Sequence, residues 1–348
     1  MSSAETTSRV IVYALGGTIA MSTTTSGGVA PALSAHDLLA SVPGLRESGI
    51  TVEVQDFRRV PGASLTISDI TALATEISDR LTDVDGVVVT QGTDTIEETV
   101  YLLDLLHAGP QPVIVTGAMR NPTLAGADGP ANILAAIQTA ASPHTRNQGA
   151  LVVFGDDIHA ARRVRKTHTT SLVTFQSPDG GPLGYLVEGR PRLLNRLTHR
   201  TVVPAKPADG IRVAVVPVTL GDDGTTLQAL ADHVDGLVVA GFGAGHVPSG
   251  LVSVLETLCA RVPVVLSSRT GAGSVLATTY GFPGSERDLL ARGLISAGYL
   301  DPIKARILLL TLLTTGCDQP TIATAFGAAG GYTDPSTWPW PIKCSKDN

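Results

Sequence analysis

Short runs of consecutive apolar residues alternate along this chain with longer stretches in which apolar positions return every three or four residues. The runs at 9–14, 86–90, 112–116 and 150–154 are mainly apolar rather than alternating, as in strands of a parallel sheet covered on both faces, and 51–54 reads as a further strand. Between them, 67–81 carries Ile70, Leu73, Ile77 and Leu81 at helical spacing, Val100, Leu103 and Leu106 continue the pattern, and 132–141 reads as another helix. From 189 the pattern weakens around Pro191, Pro204 and Pro207. A second set then follows, with strands at 211–218, 236–240 and 262–267 and helices at 225–233, 249–259 and 302–314. Alternating strand and helix predicts an α/β protein. The expected layout is a larger, doubly wound, mainly parallel N-terminal domain of flavodoxin-like order over 1–190, a linker at 191–210 and a smaller α/β domain over 211–330. A proline-rich, irregular tail at 331–348 packs through Trp338 and Trp340.

Composition narrows this picture. The chain has 348 residues, 43% hydrophobic, so it can bury a large core, and with 4% aromatics that core must come from Val, Leu, Ile and Ala. A net charge of −6 without a long basic run argues against nucleic acid. The short basic run 162–166 reads as a solvated loop. Cys259, Cys317 and Cys344 are too scattered for a disulfide framework or a zinc site, although one disulfide stays open. No stretch approaches the ~20 apolar residues of a membrane helix. Residues 1–8 are polar, without an apolar signal core. A cytoplasmic protein without membrane contact is expected.

The chemistry begins where the first strand breaks on Gly16-Gly17-Thr18. Glycines turn the chain sharply and let it approach a ligand closely, and open α/β sheets bind ligands at the carboxyl ends of their strands. Thr18 is therefore placed as a nucleophile or a substrate contact. Residues 21–32, rich in Ser, Thr and Gly, suit a mobile lid or a plain surface loop. The strand at 86–90 ends in Gln91-Gly92-Thr93-Asp94-Thr95. Thr95 and Glu98 have capping-box spacing, which accounts for part of this cluster; the surplus hydroxyls favour a polar site. After the fifth strand comes Arg165-Lys166-Thr167-His168-Thr169-Thr170. A loop lysine is ordinarily a solvated charge. Turned inward beside Thr93 and Asp94, Lys166 could take a hydroxyl proton.

These residues carry a resemblance. Leu15-Gly16-Gly17-Thr18-Ile19-Ala20, 91–99, Gly117-Ala118-Met119-Arg120, 127–132, Lys166-Thr167, 175–178, 181–185 and Lys304-Ala305-Arg306 occur in the order found in bacterial-type L-asparaginases, and together they resemble that family from about 10 to 326. The resemblance implies amide hydrolysis in which Thr18 attacks the side-chain amide of L-asparagine, ammonia leaves, and water resolves the acyl-enzyme to L-aspartate. Thr93, Lys166 and Asp94 are then the other catalytic group. Main-chain amides at Thr93 and Ala118 face the oxyanion, Asp94 takes the α-ammonium, and Ser64, with nearby amides and the Gly17 turn, takes the α-carboxylate. No metal or other cofactor is called for. Family members are homo-oligomers, dimers or tetramers, whose active sites lie between subunits.

The sequence departs from that pattern in three places. The lid stretch 21–32 lacks the family's tyrosine. His246 stands where a neighbouring subunit normally supplies an asparagine, and only Tyr280 and Glu286 offer themselves for its glutamate. The alternatives are a glutaminase or other small-amide amidase, and a catalytically weak amino-acid sensor. A dinucleotide-binding module ranks below these, because 15–18 lacks G-x-G-x-x-G spacing and no Walker lysine follows.

Overall fold

The computed structural model describes residues 7–17, 21–23, 29–31, 35–40, 42–207 and 209–340. Chain contacts divide it into two units, Met1–Arg200 and Thr201–Asn348.

In the first unit the five expected strands form β1 (Arg9–Ala14), β4 (Thr51–Asp56), β5 (Gly86–Thr90), β6 (Val113–Thr116) and β7 (Ala150–Phe154). Between β1 and β4 lie β2 (Met21–Thr23), β3 (Val29–Pro31) and the short helix α1 (Ala35–Ala40). The chain then continues through β8 (Asp157–Ala160), β9 (Arg165–Lys166), β10 (Phe175–Gln176), β11 (Gly184–Val187) and β12 (Arg190–Leu193). One eight-stranded sheet runs β12-β11-β8-β7-β6-β5-β1-β4. Its five parallel strands, numbered by their own appearance, stand in the flavodoxin-like order 2-1-3-4-5.

The longer helices packed on that sheet are α2 (Ile67–Arg80), α3 (Ile96–Leu106) and α4 (Gly129–Ala140). Val88, Ile114, Leu151 and Val153 join Ile133, Ala136, Ile137 and Ala140 of α4 in one core. Val87, Val89, Val113, Val115 and Val152, alternating with them, are equally buried. Burial of both faces is why these strands read as unbroken apolar runs.

The second unit has its own parallel sheet, β13 (Val213–Pro217), β14 (Gly236–Gly241), β15 (Val264–Ser268) and β16 (Ile295–Ser296), in sequential order. Its helices are α5 (Thr225–Leu230), α6 (Val252–Cys259), α7 (Glu286–Ala291), α8 (Pro302–Leu313) and α9 (Gln319–Ala329).

The structure corrects several expectations. The segment 191–193, assigned by composition to a linker, lies in edge strand β12, where proline is tolerated because one side of the ladder stays unpaired. Within 21–32, Met21–Thr23 and Val29–Pro31 pair as an antiparallel ribbon. The basic run 162–166 is half-buried rather than solvated: Arg162 donates to the His199 carbonyl at 3.0 Å, and Lys166 lies in a strand. Cys259 and Cys317 are free thiols, and Cys344 lies outside the described residues. In the tail, Trp338 is buried against Trp340, and its indole N–H donates to the Val202 carbonyl at 3.0 Å.

Candidate active site

The sheet order reverses between β1 and β5, and the turns leaving these strands meet at their carboxyl ends. Gly17 adopts φ +86°, and a Cβ built there would lie 2.0 Å from the Gly92 nitrogen. On the other side of Gly92, a Cβ on Gly62 would come within 2.8 Å of the Gly92 carbonyl oxygen. Three loops thus touch backbone to backbone, which only glycine permits.

Two side chains tie these loops further. The buried Gln91 amide donates to the Gly92 carbonyl at 3.3 Å and to the Thr95 hydroxyl at 3.2 Å. Thr95 in turn donates to the Gly62 carbonyl at 3.0 Å. The expected capping box at Thr95 and Glu98 does not form: Thr95 makes no side-chain cap. A 3₁₀ turn at Thr93–Thr95 precedes α3, and its hydroxyl serves the neighbouring loop instead. The capping box lies at Thr66, whose hydroxyl accepts the Asp69 N–H while Asp69 takes the Thr66 N–H, fixing the start of α2.

Thr93 is buried at this junction, and Lys166 reaches it. Lys166 Nζ lies 2.9 Å from the Thr93 hydroxyl and 3.1 Å from Asp94 Oδ1. The Lys166 main-chain N–H donates to Glu97 on α3 at 3.3 Å, and Lys166 pairs with Phe175 across β9 and β10. An amine touching a hydroxyl and a carboxylate at once can pass a proton to or from the hydroxyl, while the carboxylate holds it in line. Phe175, pressed on Phe154 with ring centroids 4.8 Å apart, anchors the strand carrying this lysine.

The turn after β6 completes the floor. Asp128 accepts the N–H of Met119 at 2.9 Å and that of Arg120 at 2.8 Å. Asn132 donates to the Gly117 carbonyl at 3.0 Å and accepts the Gly155 N–H at 3.1 Å. Ala118 is thereby clamped between two bonded neighbours, its side chain in the core. Ser64 sits exposed on the 3₁₀ turn Gly62–Ser64, two residues after the Gly62 that touches Gly92. Thr18 lies outside the described residues. Thr93, Asp94 and Lys166 are therefore bonded together, while Gly17 and the turn bearing Ser64 meet at Gly92. Gln91, Asp128 and Asn132 are positioning residues that sequence reasoning did not single out, although 91 and 127–132 fall in its motifs.

In the second unit, His246 and Glu286 meet. Their side chains lie 3.1 Å apart, and the second Glu286 oxygen accepts the N–H of Thr279 at 3.0 Å and of Tyr280 at 2.8 Å. Burial alone raises a carboxyl pKa, but the bonds from Tyr280, His246 and Thr279 outweigh it and hold Glu286 below the usual glutamate range. The imidazole packs edge-to-face on Tyr280 and Phe282, at 4.8 and 5.0 Å. Among the described residues no group of three or more His, Cys, Asp or Glu is placed to hold a metal ion, and no helix is long and apolar enough to cross a membrane.

Comparison with known proteins shows the family to which the chain belongs. Residues 9–199 match the family model "Asparaginase, N-terminal", and residues 212–326 match "Glutaminase/Asparaginase C-terminal domain". A probable L-asparaginase of Deinococcus radiodurans is 35% identical, covering 91% of this chain and 97% of its own. L-asparaginase 2 of Escherichia coli is 34% identical over 91% of this chain and 92% of its own. A glutaminase-asparaginase of Acinetobacter glutaminasificans is 32% identical over 91% and 98%. The crystal structure of a probable cytoplasmic L-asparaginase from Campylobacter jejuni superposes with a TM-score of 0.82 at 33% identity, covering 92% of this chain and 99% of that one.

Proposed function

The chain belongs to the asparaginase family of amide hydrolases, and on that premise we propose that it hydrolyses the side-chain amide of L-asparagine to L-aspartate and ammonia. The observation that carries this reading is the Lys166 amine held 2.9 Å from Thr93 and 3.1 Å from Asp94 at the switch point of the sheet. In this mechanism the Thr18 hydroxyl oxygen bonds to the amide carbon and its proton passes to the amide nitrogen. The tetrahedral intermediate expels ammonia, breaking the C–N bond, and leaves an aspartyl ester. Water, deprotonated at the Thr93–Lys166–Asp94 group, then attacks the ester and frees aspartate. Splitting the reaction in two replaces one high barrier by two lower ones.

The main-chain N–H groups of Thr93 and Ala118 stabilise the oxyanion, and the glycine-locked turns and the Asp128 clamp preorganise them. Asp94, open to solvent on one side, pairs with the α-ammonium. Ser64, with the Gly17 turn, receives the α-carboxylate. The enzyme works in this reading as a cytoplasmic homo-oligomer without metal or cofactor, and His246 with Glu286 of one subunit adjoins the site of another. A relative named glutaminase-asparaginase favours L-glutamine as a secondary substrate.

Ammonia release from asparagine and glutamine by the wild type and by Thr18→Ala tests the proposal. Asparagine should turn over faster, and Thr18→Ala should lose nearly all activity while still binding aspartate. A preference for glutamine, or equal trace activity in both proteins, overturns it.

A further inference from the structure

The loop between β9 and β10 leads from Lys166 back to its strand partner Phe175, and hydroxyls and one imidazole hold it together. Thr167 closes the neck, its N–H and its hydroxyl both donating to the Thr174 carbonyl, at 2.8 and 2.9 Å. Thr174 donates its hydroxyl to the His168 carbonyl and accepts the His168 N–H at 3.0 Å. At the tip, His168 Nδ1 accepts the N–H of Thr170 and the N–H of Ser171, each at 3.0 Å. A main-chain N–H can only donate, so Nδ1 presents a lone pair and the proton of the neutral ring sits on Nε2. An imidazolium carries N–H at both nitrogens and can accept neither bond.

We propose that His168 is a positioning residue for amide hydrolysis: its neutral ring keeps the 167–174 loop closed and so sets Lys166 against Thr93, and its protonation releases the loop. This rests on the proton-transfer role given to Lys166 above. The path is short. Lys166 is the residue before the neck, two positions from the imidazole, and it is held from outside the hairpin by Glu97, Thr93 and Asp94. A shift of about 1 Å in such a group is enough to cost roughly a hundredfold in rate. The charged groups on the elements around the hairpin are Arg165 and Lys166 on β9, Asp94 and Glu97 at the start of α3, and Asp156 and Asp157. The last two follow Gly155, whose Cβ position lies 3.8 Å from the Leu172 carbonyl. The imidazole is exposed, and the bonds it makes are to the two amides, so a change in its charge is felt first by the turn.

The test compares kcat and KM for L-asparagine between about pH 5 and about pH 9 in wild type, His168→Asn and His168→Ala. An asparagine oxygen accepts the same two amides and does not titrate. Wild-type kcat should fall on the acid side, and His168→Asn should remove that part of the fall. His168→Ala should lower kcat roughly tenfold at every pH, with KM little changed, as expected for losing two hydrogen bonds at a distance from substrate. An acid limb unchanged in His168→Asn, or a wild-type kcat in His168→Ala, overturns the proposal. Hydrogen-exchange protection of the Thr170 and Ser171 amides gives a readout independent of turnover. It should be lost at acid pH in the wild type and kept in His168→Asn; protection indifferent to pH in both overturns the switch. A wild type silent on every amide brings down the proposed function instead, and His168 is then decided by the exchange data.

Discussion

Two lysine–aspartate pairs of similar length stand in different surroundings in this protein. Lys166 and Asp94, 3.1 Å apart, come from elements separated by 72 residues of chain, and their side chains are 17% and 61% exposed. Lys304 and Asp301, 2.8 Å apart, lie three residues apart at the start of α8, at 0% and 10% exposure. Asp301 is fully committed, since its other oxygen accepts the N–H groups of Ile303 and Lys304 at 2.9 and 3.0 Å and caps the helix. A cation near a helix N-terminus opposes the macrodipole, so Lys304 depends on that carboxylate. The open pair keeps bonding capacity for a third group; the closed pair has spent its capacity on the fold. Charge and distance alone do not distinguish a reactive pair from a structural one. Exposure and remaining valence do.

The sharpest way to break this contrast is to remove each lysine. Lys166→Met should reduce kcat/KM for L-asparagine by about 10²–10⁴, the usual worth of a positioned acid–base group, with the denaturant midpoint unmoved. Lys304→Met should lower the unfolding free energy of its unit by about 3–5 kcal/mol by stranding a buried carboxylate, measured by denaturant titration, with kcat per folded molecule unchanged. Exchanged outcomes would erase the distinction.

Glu286 offers an intermediate case, a buried carboxylate bonded to an imidazole. Because its folded pKa is depressed, its stabilisation is present above the ordinary glutamate pKa and lost as pH falls through the folded value. Glu286→Gln should cost about 2 kcal/mol near neutral pH and flatten the acid limb of stability against pH, followed by thermal melts. The smallest effect is expected at the exposed cap of α2. Thr66→Ala should cost about 1 kcal/mol of stability and leave turnover as it was.

The same distinction marks what was legible in the sequence. The central parallel strands announce themselves because both faces are buried. Strands β8, β11 and β12 do not, because residues such as Asp157, Tyr185 and Arg192 face outward and break the apolar run. The glycine turns at Gly17 and Gly92 were readable from composition, since a buried strand ending in glycine has few other uses. The contact between Lys166 and Thr93 was left open by the spacing and implied only by the family resemblance, because it depends on a hairpin whose two strands are each only two residues long. Thr95 shows the opposite error: the spacing of a cap was present, but a 3₁₀ turn redirected the hydroxyl to Gly62. Lys304 belongs to a motif whose spacing says nothing of burial, and its structural role lies in that burial.

The backbone contact among Gly17, Gly62 and Gly92 bears on how such a site can diversify. Where main chains touch, there is no side chain for mutation to vary, so this floor passes unchanged from one variant to the next. A library randomised across the three positions should return almost nothing but glycine among its active members. In the proposed reading, a taste for a longer or shorter amide must instead be acquired at the rim, through exposed positions such as Ser64. Chemistry and selectivity then become separately heritable: one is fixed by the absence of side chains, the other open to selection through their presence.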